Sequence, residues 1–429
     1  MPAFNIYLVI VLAVLVGEYI LDLAVEALNL RRARGELPGE FEGCYDPARY
    51  GRSQEYLREV TRLALFDESA RTILLVSCIL LGGFNLVDHF ARGFGAGPIV
   101  TGLVFAGTLC LVSQVLKAPF SAWRTFSIEQ RYGFNRTTPA TFAKDLLKKW
   151  LLGGLIGGGA LAAVLWLFGR EGTRAWVLCW AVVVLLQLSV VFIAPAVILP
   201  FFNTFIPLED GDLKAAIHRS AKALGFRMRG VYRMDASRRS TRSNAFFTGL
   251  GRFRRIVLFD TLIARHTVPE LVAILAHEIG HCKKRHLLVT FLAGIVSTGL
   301  MFYLLSLLME SRGLFAAFRM SNVSAYAGIV LFGFLYAPVQ ALLSVFLNAL
   351  SRRNEYEADA FAARAGGGEP MIAALKKLSV DNLSNLTPHP LKVILDYGHP
   401  PILKRIRAIR RIPGAGILSP AAEHGRMPG

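Results

Sequence analysis

Seven stretches of this chain are each apolar over about 20 residues, the length a helix needs to cross a bilayer. They run approximately over 5–29, 71–91, 97–117, 149–169, 175–202, 286–309 and 325–349. The bilayer core offers no water to satisfy bare backbone groups, so such stretches fold as helices. Composition agrees: 54% of the 429 residues are hydrophobic and 18% charged, with a mean hydropathy of +0.46. Soluble domains usually carry about 25% charged residues. This composition argues against an ordinary cytosolic enzyme, and a disordered chain, a collagen-like repeat and a coiled coil are excluded. The first stretch begins Asn5-Ile6-Tyr7-Leu8 with no basic residue before it and no small-x-small cleavage site, so it reads as a retained span.

The formal net charge is +18, from 48 Lys+Arg against 30 Asp+Glu. In a soluble protein that excess would suggest a nucleic-acid partner. Here it collects in loops, and no nucleic acid is expected. Segments 30–71 and 117–149 carry eight and seven Lys/Arg, while 92–96 and 170–174 carry one and two. The positive-inside rule puts the basic loops and the C-terminus in the cytoplasm and the N-terminus outside. Cys44, Cys78, Cys110, Cys179 and Cys282 lie far apart with no C-x-x-C pair, so they are expected to be free thiols.

Two polar segments remain, both on the cytoplasmic side: 203–285 and 350–429. The first reads as a small α/β unit. Asp210 is placed to cap a helix through about Leu224, ended by Gly225. Val231–Met234, Ala245–Thr248 and Arg255–Phe259 read as short strands separated by Ser/Arg-rich and Gly-rich turns. A helical pattern then starts after Pro269 and continues without a breaker towards the sixth span, Gly280 its only blemish.

That helix carries His277-Glu278-Ile279-Gly280-His281, an H-E-x-x-H motif. Spacing of four residues sets both imidazoles on one helical face, where two nitrogens can bind one zinc ion. Glu278 follows the first of them, placed as the base that takes a proton from the attacking water. Two histidines at a membrane boundary are the plain alternative, and a zinc site needs more than two ligands. Glu355 and Asp359, directly beyond the seventh span, are partners four apart on one helix face. Glu355 fits as the third ligand of a catalytic His₂Glu site. Asp359 is then placed to orient a ligand histidine through its second nitrogen. Glu357 points elsewhere and reads as a solvated charge.

With these blocks in view the sequence resembles the type I CAAX prenyl proteases, integral-membrane zinc endopeptidases. The resemblance rests on the H-E-x-x-H motif, on Asn354-Glu355-Tyr356-Glu357-Ala358-Asp359-Ala360-Phe361, and on Ser243-Asn244-Ala245-Phe246-Phe247-Thr248-Gly249. Arg255–Leu262, His399-Pro400-Pro401-Ile402-Leu403-Lys404-Arg405, Pro119-Phe120-Ser121 and Tyr132-Gly133-Phe134-Asn135 add to it. It implies an α-helical membrane protein whose seven transmembrane helices form a barrel around a chamber, with a small cytoplasmic zincin-like catalytic part. It implies one Zn²⁺ per chain held by His277, His281 and Glu355, with Glu278 as base and Asp359 as proton donor or orienter. His399 and Arg405 match a block where a donor stabilises the oxyanion of the tetrahedral intermediate. Asn244 and Ala245 match an edge strand on which the substrate peptide lies. Near the motif, His286 reads as an interface residue and Cys282 as a bystander.

The expected organisation is an N-terminal membrane region of five spans (1–202), a catalytic segment (203–285), spans six and seven (286–349), a second catalytic segment (350–412) and a flexible tail (413–429). The implied activity is hydrolysis near the C-terminus of CAAX-type peptides, prenylated or not, or of other membrane-associated peptides. The tail lacks a dilysine-type retrieval signal, and the excess of Arg over Lys with many Gly and Ala resembles a bacterial member, in the plasma membrane with its site facing the cytoplasm. Two other readings stand beside this one: a heat-shock or intramembrane type of membrane metalloprotease, and a non-enzymatic seven-span receptor or transporter.

Overall fold

A computed structural model describes residues 5–33, 36–248 and 255–413. The Gly-rich turn at 249–254, and the expected tail from 414 onward, lie outside the described residues. The chain separates into two compact units. One takes the described residues of 1–31 with Glu55–Phe202 and Phe291–Leu347. The other takes the described residues of 32–54, 203–290 and 348–429.

Among the described residues six helices are long and apolar enough to cross a membrane, beginning at Ile6, Pro98, Pro139, Ala175, His286 and Ala325. The remaining expected span, 71–91, is not a straight helix. Pro47–Leu81 and Gly83–Arg92 meet at a bend of 69°, which together count as a broken seventh. The break has a local cause. Gly82 sits at φ +77, a conformation only glycine adopts without cost, and a Cβ on Gly83 would collide with the Cys78 sulfur. The helices pack through Phe105, Leu314, Phe315, Phe318 and Leu331, all fully buried. Yet large apolar side chains such as Leu155 (74% exposed) and Phe346 (72%) stay uncovered. Water would penalise that surface, and lipid accepts it.

The second unit is built on a four-stranded sheet in the order β1-β2-β4-β3: β1 Phe205–Pro207, β2 Gly230–Met234, β3 Ala245–Thr248 and β4 Arg255–Phe259. β2 and β4 run parallel, and both outer pairs are antiparallel. Side chains alternate across the sheet as strand geometry requires. Val231, Ile256 and Leu258 face the helices Asp212–Ala223 and Val268–Lys283 through Ile217, Ala221, Leu271, Ile274, Leu275 and Ile279. Met234 and Val257 form a smaller cluster with Ala236, joined by Tyr232 and Phe246.

Two local expectations are corrected, and one strand is added. Asp210 does not cap its helix: the cap position is Gly211, and Asp210 instead accepts from Lys214 at 2.8 Å. Strand β1 is an addition, three residues containing a proline that no alternation marks. The H-E-x-x-H helix does not run on into the sixth span but stops at Lys283. Arg285, at φ 58, turns the chain before the next helix begins at His286.

Candidate metal centre

The helix Val268–Lys283 is capped by its own side chains. Thr267 and Glu270 form a reciprocal capping box, with Thr267 N donating to Glu270 Oε2 at 2.9 Å. Lys377 holds the same carboxylate at 2.7 Å. The face bearing Leu271, Ile274 and Leu275 is fixed by the sheet. His277, His281 and Gly280 therefore turn towards the second half of the helix Ala325–Ala362.

Gly280 lets that helix come close. A Cβ at this position would lie 3.1 Å from both Ala358 Cα and Phe361 Cβ. The approach brings Glu355 and Asp359 beneath the imidazoles. One donor atom from each of His277, His281 and Glu355 lies within 4.8 Å of the others. The Nε2 atoms of His277 and His281 are 3.1 Å apart. Glu355 places Oε1 3.3 Å from His281 Nε2 and Oε2 3.6 Å from His277 Nε2. Glu355 Oε2 is buried without a well-directed hydrogen bond.

Around these three the charges are layered. His277 Nδ1 faces Asp359 Oδ1 at 2.9 Å. Arg405 clamps Asp359 with two hydrogen bonds, Nε to Oδ2 at 2.7 Å and Nη2 to Oδ1 at 2.6 Å. Its Nη1 lies 3.1 Å from Glu355 Oε2. His399, its side chain 73% exposed, approaches the same oxygen through Nδ1 at 3.0 Å. That contact raises the His399 imidazole above its ordinary value. The Glu278 side chain forms no hydrogen bond among the described residues. Burial pushes its carboxyl above the usual range, and the neighbouring His277 and His281 pull it only part of the way back. A carboxyl displaced upward is suited to take and release a proton near neutrality.

Of the residues singled out in the sequence, His277, Glu278, His281, Glu355, Asp359, His399 and Arg405 meet here. Asn244 and Ala245 stand apart, joined to the cluster by no hydrogen bond or ion pair among the described residues. They open the edge strand β3, where the Asn244 carbonyl accepts from Phe259 N at 3.1 Å. Two neighbours that the sequence reading left outside the site make contacts at its edge. His286 is buried and meets His281 Nδ1 to Nδ1 at 3.0 Å. Glu357 is not a free solvated charge: it faces His286 Nε2 at 3.4 Å and accepts from Arg353 Nε at 3.0 Å. A third histidine five residues after the motif was the available signal.

Helices long and apolar enough to cross a membrane, together with a His-Glu-His-Glu cluster, define a multi-pass membrane metallopeptidase. Comparison with known proteins is specific. Residues 26–204 match the family described as CAAX prenyl protease N-terminal, five membrane helices, and residues 207–413 match peptidase family M48. A relative from Arabidopsis thaliana named CAAX prenyl protease 1 homolog is 34% identical over 87% of this chain and 90% of its own. The mouse protein of that name is 31% identical over 90% and 91%. The solved structure of S. mikatae Ste24p superposes with a TM-score of 0.90 at 28% identity, over 94% of this chain and 99% of that one. The chain belongs to the CAAX prenyl protease family and is a metalloendopeptidase of the membrane, acting on peptides or proteins. The receptor and transporter reading falls with that.

Proposed function

We propose that the chain is a zinc-dependent endopeptidase that cuts CAAX-type substrates near their C-terminus, prenylated or unmodified, with its site facing the cytoplasm. One observation carries the metal reading: the spacing of the three donor atoms. Tetrahedral zinc, with bonds of about 2.0–2.1 Å, separates its ligand atoms by roughly 3.3 Å. Here the two histidine nitrogens are 3.1 Å apart, Glu355 sets one oxygen 3.3 Å from His281 and the other 3.6 Å from His277, and one donor atom from each residue lies within 4.8 Å of the others. A His₂Glu set also leaves the open position of a catalytic site. Its relatives' names supply the substrate class. Loop charge supports the cytoplasmic face. Composition is the support for a bacterial plasma membrane, whereas the relatives named above are eukaryotic.

In this reading His277, His281 and Glu355 hold the ion. When bound, zinc supplies Lewis acidity, activating water and polarising the scissile carbonyl. Glu278 accepts the proton of the attacking water and returns it to the leaving amine. Asp359 orients His277, and Arg405 keeps Asp359 and Glu355 in place. Three donor nitrogens of Arg405 are already committed to these carboxylates, so it acts through them and not on the substrate. His399 presents its Nε2, on the ring side away from Glu355, to the oxyanion. Strand β3 is an edge strand of the sheet. Asn244 turns its carbonyl to β4, so alternation turns Ala245 and Phe247 to the open side, where a substrate strand can pair.

Zinc content of the purified protein and cleavage of farnesylated against unmodified C-a-a-X peptides test this together. About one zinc per chain is expected, with faster cleavage of the farnesylated peptide. Metal-free active protein would reject the zinc reading. Equal neglect of both peptides would reject the substrate class.

A further inference from the structure

We propose that His286 is a positioning residue: it fixes the orientation and tautomer of His281 and is itself held by Glu357. This rests on the reading of His281 as a zinc ligand. An imidazole that gives Nε2 to a metal carries its proton on Nδ1. In His281 that Nδ1 meets His286 Nδ1 at 3.0 Å, so His281 donates and His286 must accept. The His286 proton is then on Nε2, the atom 3.4 Å from Glu357 Oε2. Glu357 is oriented in turn by Arg353 Nε, 3.0 Å from its other oxygen. The series Arg353–Glu357–His286–His281 has one consistent set of protons, ending on His281 Nδ1 and leaving Nε2 free for the metal.

The two ligand histidines are thus supported differently. His277 faces a buried carboxylate, Asp359, 1% exposed and locked by Arg405. His281 is itself partly exposed, and its support is a neutral imidazole backed by a carboxylate at the surface. An anionic acceptor raises the basicity of a ligand histidine more than a neutral one does. Glu357 reaches His281 only through the His286 ring, so its charge is attenuated. Geometry gives His286 this role: the turn at Arg285 ends one helix and starts the next with His286, which swings the ring back over His281.

The test measures zinc release from the full chain in detergent into excess chelator, and the visible spectrum of the Co²⁺-substituted protein. His286→Phe keeps the ring's bulk but removes the acceptor. It is expected to speed zinc release about 10–100-fold and to alter the Co²⁺ bands, as loss of a ligand's hydrogen-bond partner does elsewhere. His286→Asn puts an oxygen where Nδ1 was and should stay within about threefold of the parent rate. If His286→Phe does not fold, His286→Gln replaces it, since its amide reaches the Nε2 position and leaves Nδ1 of His281 without an acceptor. A parent-like release rate in the variant lacking the acceptor overturns the proposal. So does an Asn variant as fast as the Phe or Gln variant, because that assigns His286 to packing. His281→Ala measured alongside separates the two levels. Full zinc retention there rejects His281 as a ligand, whereas zinc loss there with parent-like release in His286→Phe rejects His286 alone.

Discussion

Each unit buries one aspartate almost completely, Asp88 in the membrane unit at 0% exposure and Asp359 in the site unit at 1%. Asp88 is shared among three partners on different elements: Arg92 Nε at 2.9 Å, the Tyr326 hydroxyl at 2.6 Å and Asn322 Nδ2 at 3.4 Å. Asp359 depends on one cation. Arg405 supplies both strong bonds from 46 residues away, and His277 adds a contact at 2.9 Å. The first arrangement is redundant and ties helix ends together. The second is a chain in which each group holds the next, ending on a candidate metal ligand. Redundancy tolerates substitution, and a chain does not. The membrane unit also leaves apolar side chains such as Leu155 outside, where packing is undemanding. Equal chemical changes should therefore have unequal effects in the two units.

The widest separation comes from the site's own base. Glu278→Gln should lower turnover by about 10⁴, the upper range for a general base, with zinc still bound. Glu355→Ala should lose the zinc itself, since two histidines alone make a weak site. Leu155→Ala in the membrane unit should stay within about twofold of the parent on both measures, as surface changes usually do. Turnover and metal content of the three purified variants check this. Zinc loss from Glu278→Gln equal to that from Glu355→Ala would remove the distinction between base and ligand.

Next come the two arginines. Arg405→Ala strands a buried carboxylate, which typically costs about 3–5 kcal/mol. Arg92→Ala should cost about 1 kcal/mol, because its side chain is 39% exposed and Tyr326 and Asn322 still serve Asp88. Denaturant unfolding in detergent reads both. Similar losses would show that redundancy does not distinguish the units.

How far the sequence shows these features differs between the units for physical reasons. Spans are legible because the bilayer demands continuous apolar length, residue after residue. The bend at Gly82 is not, since it depends on the close approach of Gly83 and Cys78. In the site unit, fixed spacing on one helix is legible: His277 with His281, and Glu355 with Asp359. The clamp on Asp359 is not, because Arg405 arrives from a different helix and is brought in only by the fold. The His286–His281 contact needs the left-handed turn at Arg285, which no glycine or proline announces. Strand β1 is too short for any periodicity to register.

A smaller effect is expected at His399. With its side chain largely in solvent, His399→Ala should leave folding and zinc content close to those of the parent. Removing an oxyanion donor costs roughly 10²–10³ in turnover, and zinc shares this oxyanion, so about 10² is expected. The loss should fall on kcat more than KM, because the interaction strengthens only as charge develops. Unchanged kcat with zinc in place would reduce His399 to a surface partner of Glu355.

The smallest expected effect, at Gly280, tests whether the site's spacing is set by backbone packing. Two effects oppose each other in Gly280→Ala. Helix propensity favours alanine by about 1 kcal/mol in a helix interior. Against it, the new Cβ would stand 3.1 Å from Ala358 Cα and 3.3 Å from the Ala358 carbonyl oxygen. These are backbone atoms of the helix carrying Glu355 and Asp359, so relief requires that helix to move by a few tenths of an ångström. Overpacking of this kind costs about 1–3 kcal/mol, which outweighs the propensity gain and leaves a modest net destabilisation. The functional effect should be larger in proportion, because Glu355 Oε2 already stands 3.6 Å from His277 Nε2 and would be carried further away. A 1 Å misplacement can cost about 10² in rate, so a shift of a few tenths should cost about 10-fold or less in turnover, with faster zinc release. Gly153 in the membrane unit supplies the contrast: a Cβ there would meet nothing within 4 Å, and Gly153→Ala should change neither measure. If Gly280→Ala kept both turnover and zinc release at parent values, the separation of the two helices would not be what sets the ligand distances.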